Sequence, residues 1–144
     1  MAEEIFSATI PDDRLYCPRH EMWVRETGDG EVLIGVTRYG VFLAGRIIAF
    51  TAKPNGAVVD IDRGMATVES RKTVLAVHAP ISFVLLAGND AAEECPDLLN
   101  SDPWYEGWLA RARPRRWAEE RGGLLDAAGY RRHLLSLDAD AGLG

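Results

Sequence analysis

Short apolar runs rich in β-branched residues, interrupted every few positions by glycine, proline or asparagine, dominate the chain as far as Asn89. Met22 to Arg25 and Val32 to Val36 flank Thr27-Gly28-Asp29-Gly30, a pattern that predicts strand, tight turn and strand. Arg38 to Leu43 predicts a short helical turn ended by Gly45; a strand from Arg46 to Phe50 follows, and Pro54-Asn55-Gly56 marks a loop. Two more strands, Met65 to Ser70 and Thr73 to His78, bracket Arg71-Lys72, and Pro80 separates them from another at Ser82 to Ala87.

Beyond Asn89 the alternation gives way to short helical and loop pieces with buried aromatics, Pro96 to Trp108, and then a last strand, Trp108 to Arg113. In Leu109-Ala110-Arg111-Ala112-Arg113 the arginines fall on one face of that strand and the small apolar residues on the other. Two helices close the chain. The first is expected to have Pro114 in its first turn and Gly122 just past its end; the second starts near Asp126, with Tyr130, Leu134 and Leu137 on one face. Many short strands with turns between them predict a mainly β fold, a sandwich or flattened barrel, with short helices.

A length of 144 residues with 47% hydrophobic composition suits one compact domain, residues 1–144, in which 114–144 form a helical extension. The net charge of −6 argues against nucleic acid or an anionic membrane as partner. The only basic cluster, Arg111, Arg113, Arg115 and Arg116, is that of a solvated sheet face. Met1 to Phe6 is acidic where a signal peptide would be basic, and no apolar run is long enough to span a bilayer, so a cytoplasmic location is expected. Cys17 and Cys95 lie far apart, and no disulfide is expected. Cys17-Pro18-Arg19-His20 offers two metal ligands without a second pair, so no metal is expected. Gly28-Asp29-Gly30 is followed by a β-branched run rather than a helix, which makes it a turn and not a phosphate cradle.

Candidate chemistry centres on Lys72, which these strands place at a hairpin tip. Taken alone it is one of sixteen basic residues, an ordinary solvated charge. A stand-alone enzyme with Cys17 as nucleophile and His20 or His78 as base lacks a recognisable oxyanion site and orienting acid. A histidine at a strand end, as His78 is, usually caps or packs, and Trp23, Trp104 and Trp108 have the spacing of core aromatics. A biotin site would resemble Met-Lys-Met, and Ser70-Arg71-Lys72-Thr73 does not.

A longer set of residues does carry a resemblance: Tyr16, His20-Glu21 and Trp23; Gly35-Val36-Thr37; Leu43 and Gly45; Pro54 and Gly56; Val68-Glu69-Ser70-Arg71-Lys72; Ala79-Pro80-Ile81-Ser82; Asn89; Pro96, Leu98 and Asn100; Pro103; and Gly107-Trp108-Leu109. In this order the chain resembles, over nearly its whole length, the H protein family of the glycine cleavage system, whose members are lipoyl carriers. The resemblance implies a flattened barrel-sandwich hybrid of two antiparallel sheets, with Glu69 and Ser70 in the modification motif and Lys72 bearing lipoic acid in amide linkage as a swinging arm. It implies Glu21 in the arm's groove, and a carrier that is a substrate of partner enzymes and not a catalyst. A lipoate-attaching enzyme, the glycine cleavage P, T and L proteins and dihydrolipoamide dehydrogenase would be its partners, and the carrier would be a monomer.

Several positions depart from the family pattern. An aspartate expected four residues after the lysine is Ala76, a glycine after Pro-x-Ser is Phe83, an acidic residue after Leu43-Ala44-Gly45 is Arg46, and Met22 stands as an extra residue before Trp23. Loss of a carboxylate from a cleft that receives a cationic aminomethyl group removes a charge-assisted hydrogen bond, worth about 1.5–3 kcal/mol where desolvated. Ala76, Phe83 and Arg46 together favour a resemblance to the H-like lipoate-binding proteins of bacterial sulfur oxidation, whose arm would serve a heterodisulfide-reductase-like complex. The alternative is the H protein of the glycine cleavage system, carrying the aminomethyl group from glycine. Met22 is expected to flip side-chain faces along its strand unless a bulge absorbs it.

Overall fold

The computed structural model of the protein describes residues 10–140, with side chains as far as Leu137; Met1 to Phe6, read above for targeting, lies outside the described residues. Nine strands form two antiparallel sheets among the described residues. They are β1 (Leu15–Cys17), β2 (Met22–Gly28), β3 (Glu31–Val36), β4 (Ile47–Ala52), β5 (Val58–Val59), β6 (Gly64–Ser70), β7 (Val74–His78), β8 (Phe83–Gly88) and β9 (Ala110–Pro114). One sheet has the order β1-β2-β3-β9-β8-β5 and the other β4-β6-β7. Between them lies a core that includes Met22, Val24, Ile34, Ile47, Phe50, Met65, Val68, Ile81, Phe83 and Leu85. The two-sheet hybrid expected from the sequence is the fold observed.

Short helices join these strands: α1 (Arg38–Ala44), α2 (Asp90–Glu94), α3 (Asp97–Ser101), α4 (Trp117–Glu120) and α5 (Ala127–Asp140), with a 3-10 turn at Arg121–Gly123. Asparagines fix two of them. Asn89 accepts from Ala92 N at the start of α2 and donates Nδ2 to the carbonyls of Glu106 and Trp108. Asn100 exchanges two hydrogen bonds with the backbone of Ile47, tying α3 to β4. Three of the residues that carry the resemblance, Asn89, Asn100 and Trp108, thus take part in holding loops and helices to the sheets.

Strand β2 is buried on both faces over its first three residues. Met22 and Val24 enter the core between the sheets, whereas Trp23 points the other way, into a second cluster with Tyr16, Trp104, Tyr130 and Leu134. α5 covers this outer face, and Tyr130 stacks on Tyr16 with ring centroids 4.6 Å apart. The effect expected of Met22 therefore does not arise in that form. β1 and β2 pair without a bulge, Cys17 opposite Met22 and Tyr16 opposite Trp23, and the loop from Pro18 to Glu21 takes up the chain, with Glu21 at φ 55°.

Two boundaries differ from the sequence reading. Pro114 does not start a helix: it ends β9, opposite Phe83, and the helix begins only at Trp117. Gly122 lies within the 3-10 turn and not past a helix end. β9 itself alternates as expected, with Ala110 and Ala112 buried and Arg111 and Arg113 exposed, both paired with Glu31. Among the described residues no helix is long and apolar enough to cross a membrane.

Candidate functional site

β6 and β7 form the hairpin expected around Lys72. Glu69 pairs with Val74, and Ser70 N donates to Thr73 O at 2.8 Å, leaving Arg71 and Lys72 as its exposed tip. Neither tip residue has positive φ, so the turn is not one of the primed types that usually close two-residue hairpins. Ser70 supplies the missing restraint. Its side chain is buried, and its Oγ accepts from Lys72 N at 3.2 Å and Thr73 N at 3.3 Å. Ser70 thus ties the turn from within, while Glu69 is exposed on β6.

The Lys72 stem lies along Gly45, the C-cap of α1. Gly45 has φ 84°, and a Cβ placed there would meet Lys72 Cε at 3.6 Å and Nζ at 3.9 Å. Only glycine takes this backbone conformation readily. Among the described residues no carboxylate pairs with the Lys72 ammonium.

From the end of α1 a groove of about 360 Å³ runs between α1 and β7. Leu43, Ala44, Leu75, Ala76 and Val77 give it apolar walls, and Arg19, His20, Glu21 and His78 lie around its polar part. Gly40 permits the close approach of α1, since a Cβ there would stand 2.9 Å from Glu21 Cβ and 3.0 Å from Glu21 O. Thr37, the N-cap of α1, is fully buried; its Oγ1 accepts from Gly40 N and donates to Glu21 Oε1 at 2.7 Å. Tyr130 OH, from α5, donates to the same oxygen, and His133 Nε2 lies 3.7 Å from Oε2.

Burial is the largest influence on Glu21 and holds its carboxyl above the usual carboxylate range; the hydrogen bonds from Tyr130 and Thr37 and the nearby His133 oppose it in part. A carboxyl whose folded pKa is raised binds more protons folded than unfolded. It therefore reduces stability as pH rises from the ordinary carboxylate range through the folded value. Glu21→Gln is expected to flatten that part of the stability curve, measured as urea midpoints from pH about 4 to about 8.

His20 and His78 stack at 5.3 Å at the groove, and His20 Nε2 lies 2.7 Å from Asp62 Oδ1, which also receives Arg19 Nη2 at 2.5 Å. Arg19 and His20 together hold the Asp62 carboxyl below its ordinary range, the His20 hydrogen bond most strongly. His78 thus adds to a groove wall as well as ending β7. Cys17 is buried and burial pushes its thiol up, the opposite of an activated nucleophile. Cys17 lines a different pocket, with Ile61, Pro80 and Leu124, and His20 is engaged with Asp62. Cys17 and Cys95 are free thiols, and no cluster of metal-ligating side chains occurs among the described residues.

The positions that favoured the sulfur-oxidation type are not brought together. Ala76 lines the groove, and Arg46 lies beside the tip, where its carbonyl accepts from Arg71 N at 3.2 Å, but its exposed side chain pairs with Asp97 at 3.2 Å, and Phe83 is buried in the core opposite Val59 and Pro114. What the sequence did not reveal is that Tyr130 and His133 reach Glu21; the helical spacing of Tyr130, Leu134 and Leu137 announced only a packed face.

The family described as Glycine cleavage H-protein matches residues 14–136. The chain belongs to this family. It is 38% identical to a glycine cleavage system H protein of Mycolicibacterium vanbaalenii over 127 residues, covering 87% of this chain and 96% of that one. Against a glycine cleavage system H protein of Thermus thermophilus it is 39% identical over 127 residues, covering 88% and 97%. A crystal structure of a glycine cleavage system H protein from Mycobacterium marinum superposes with TM-score 0.74 at 32% identity, covering 86% of this chain and 98% of that one. H proteins of this family carry lipoate covalently on a lysine, and the chain is accordingly a non-catalytic lipoyl carrier on which partner enzymes act.

Proposed function

We propose that this H-family chain carries its lipoate on Lys72 and serves the glycine cleavage system, with the P, T and L proteins as partners. The observation that supports this most is the groove near the Lys72 tip, which has apolar walls and counts Glu21, whose carboxylate is buried, among its lining residues. The Lys72 site suits the group: the amine projects from a restrained tip, lacks an ion-pair partner among the described residues, and has its stem against a glycine. Lipoate, when bound, supplies a dithiolane that can carry an aminomethyl group between enzymes.

The chain's own residues supply the rest. Ser70 holds the tip so that an attaching enzyme meets a fixed target, the walls from Leu43 to Val77 exclude water from the arm, and Glu21 offers negative charge to a cation. Residues 1–144 act in this reading as one carrier unit, a monomer in the cytoplasm, with 114–144 as its helical extension. A sulfur-oxidation role has less support, because Phe83 is buried in the core and the Arg46 guanidinium turns to Asp97.

The lipoylated protein, incubated with glycine and a glycine-decarboxylating partner, is expected to gain the mass of a methylamine adduct on nearly every molecule. Absence of that gain, with a known H protein charging normally beside it, would exclude the glycine cleavage role.

A further inference from the structure

α5 covers the aromatic face of β2, but two of its residues also lie against the carboxylate of Glu21, one of the residues that line the groove. Oxygen Oε1 of Glu21 accepts from both Thr37 Oγ1 and Tyr130 OH, which fills its ordinary acceptor capacity. Oxygen Oε2 has no hydrogen bond among the described residues; its recorded neighbour is His133 Nε2 at 3.7 Å, beyond hydrogen-bond reach. The carboxylate is buried, so an acceptor left with spare capacity there gains more from a cation than it would in water.

We propose that Tyr130 and His133 are positioning residues of the cargo site: Tyr130 anchors Glu21 through Oε1 so that Oε2 is presented to an alkylammonium group, and His133 competes with that group for Oε2. This rests on the reading of the cargo as cationic. A fixed acceptor on one oxygen orients the cation, and it lets a single carboxylate serve where Ala76 supplies none.

The charged and titratable groups around Glu21 are few. α5 contributes Tyr130 and His133, and the groove contributes Arg19, His20 and His78. Arg19 and His20 are both engaged by Asp62, and His78 stacks on His20. His133 is therefore the imidazole recorded against the Glu21 carboxylate. Tyr130 remains protonated throughout, since burial and the adjacent Glu21 both push its hydroxyl well above its ordinary value. It donates at every working pH.

The test uses the unmodified chain with carboxyl-labelled glutamate and follows the Glu21 carbon by NMR while methylammonium chloride is added, against sodium chloride at equal ionic strength. Methylammonium is expected to shift the signal saturably, and sodium chloride is not. Tyr130→Phe keeps the ring stacked on Tyr16 but is expected to weaken binding about tenfold and to move the Glu21 titration upward. His133→Gln is expected to bind methylammonium several-fold more tightly, because the imidazole beside Oε2 is gone. A Glu21 signal indifferent to methylammonium, or one whose response is unchanged in Tyr130→Phe, overturns the proposal; an unchanged affinity in His133→Gln overturns the competing role of His133. Should methylammonium bind as described while the lipoylated protein fails to charge from glycine, the glycine cleavage reading falls and the cation site stands.

Discussion

Lys72→Arg is expected to abolish arm attachment completely. Arginine keeps the positive charge and most of the aliphatic stem, but its guanidinium stays protonated and does not form the amide that the lysine amine forms after losing a proton. The hairpin has no reason to change, because Ser70 Oγ contacts backbone nitrogens at residues 72 and 73 and not the lysine side chain. Intact-mass measurement after expression with a lipoate-attaching enzyme should show the wild type heavier by one lipoyl group and the variant at its bare mass. Stability should change by no more than about 0.5 kcal/mol, as for other exposed positions. A lipoyl increment retained in the variant would move the attachment site elsewhere and remove the basis for reading the groove as the arm's.

Trp23→Ala is expected to cost about 3–5 kcal/mol in urea unfolding. Trp23 is fully buried, its Nε1 donates to Pro103 O at 3.0 Å, and the Arg14 guanidinium sits 4.5 Å above its ring. Truncation leaves a cavity between β2 and α5, an unpaired carbonyl, and a buried arginine without one of its aromatic faces. Against a total of about 5–15 kcal/mol for a typical domain, the loss is a large share. Trp23→Phe should lose less, since it fills most of the space and forfeits mainly the hydrogen bond. A cost below about 1 kcal/mol for Trp23→Ala would mean that the outer cluster contributes little.

The strands that could be read from sequence are those whose turns announce themselves. Thr27 to Gly30 and the Arg71-Lys72 tip each sit between alternating runs, and both hairpins formed where expected. β1 and β5 were not foreseen because strands of three and two residues are too short to show a period. Pro114 misled because proline favours a helix start, yet it lacks only a donor and tolerates the end of a strand. Counting along the family pattern placed Arg46 correctly beside the tip, where its carbonyl accepts from Arg71 N, but it put Phe83 near the arm when that ring is buried in the core, because counting does not say which face a side chain takes. The approach of Tyr130 and His133 to Glu21 joins residues more than a hundred positions apart, and periodicity on one helix carries no information about so distant a contact.

The aromatic face of β1 and β2 has a cover that follows all nine strands in chain order. During synthesis Tyr16 and Trp23 therefore remain wet until α5 has left the ribosome, long after the adjacent-sequence pairing of β6 with β7 can form. Nascent chains stalled between the two events present a sticky surface to chaperones, even though the hairpin that bears Lys72 is already made.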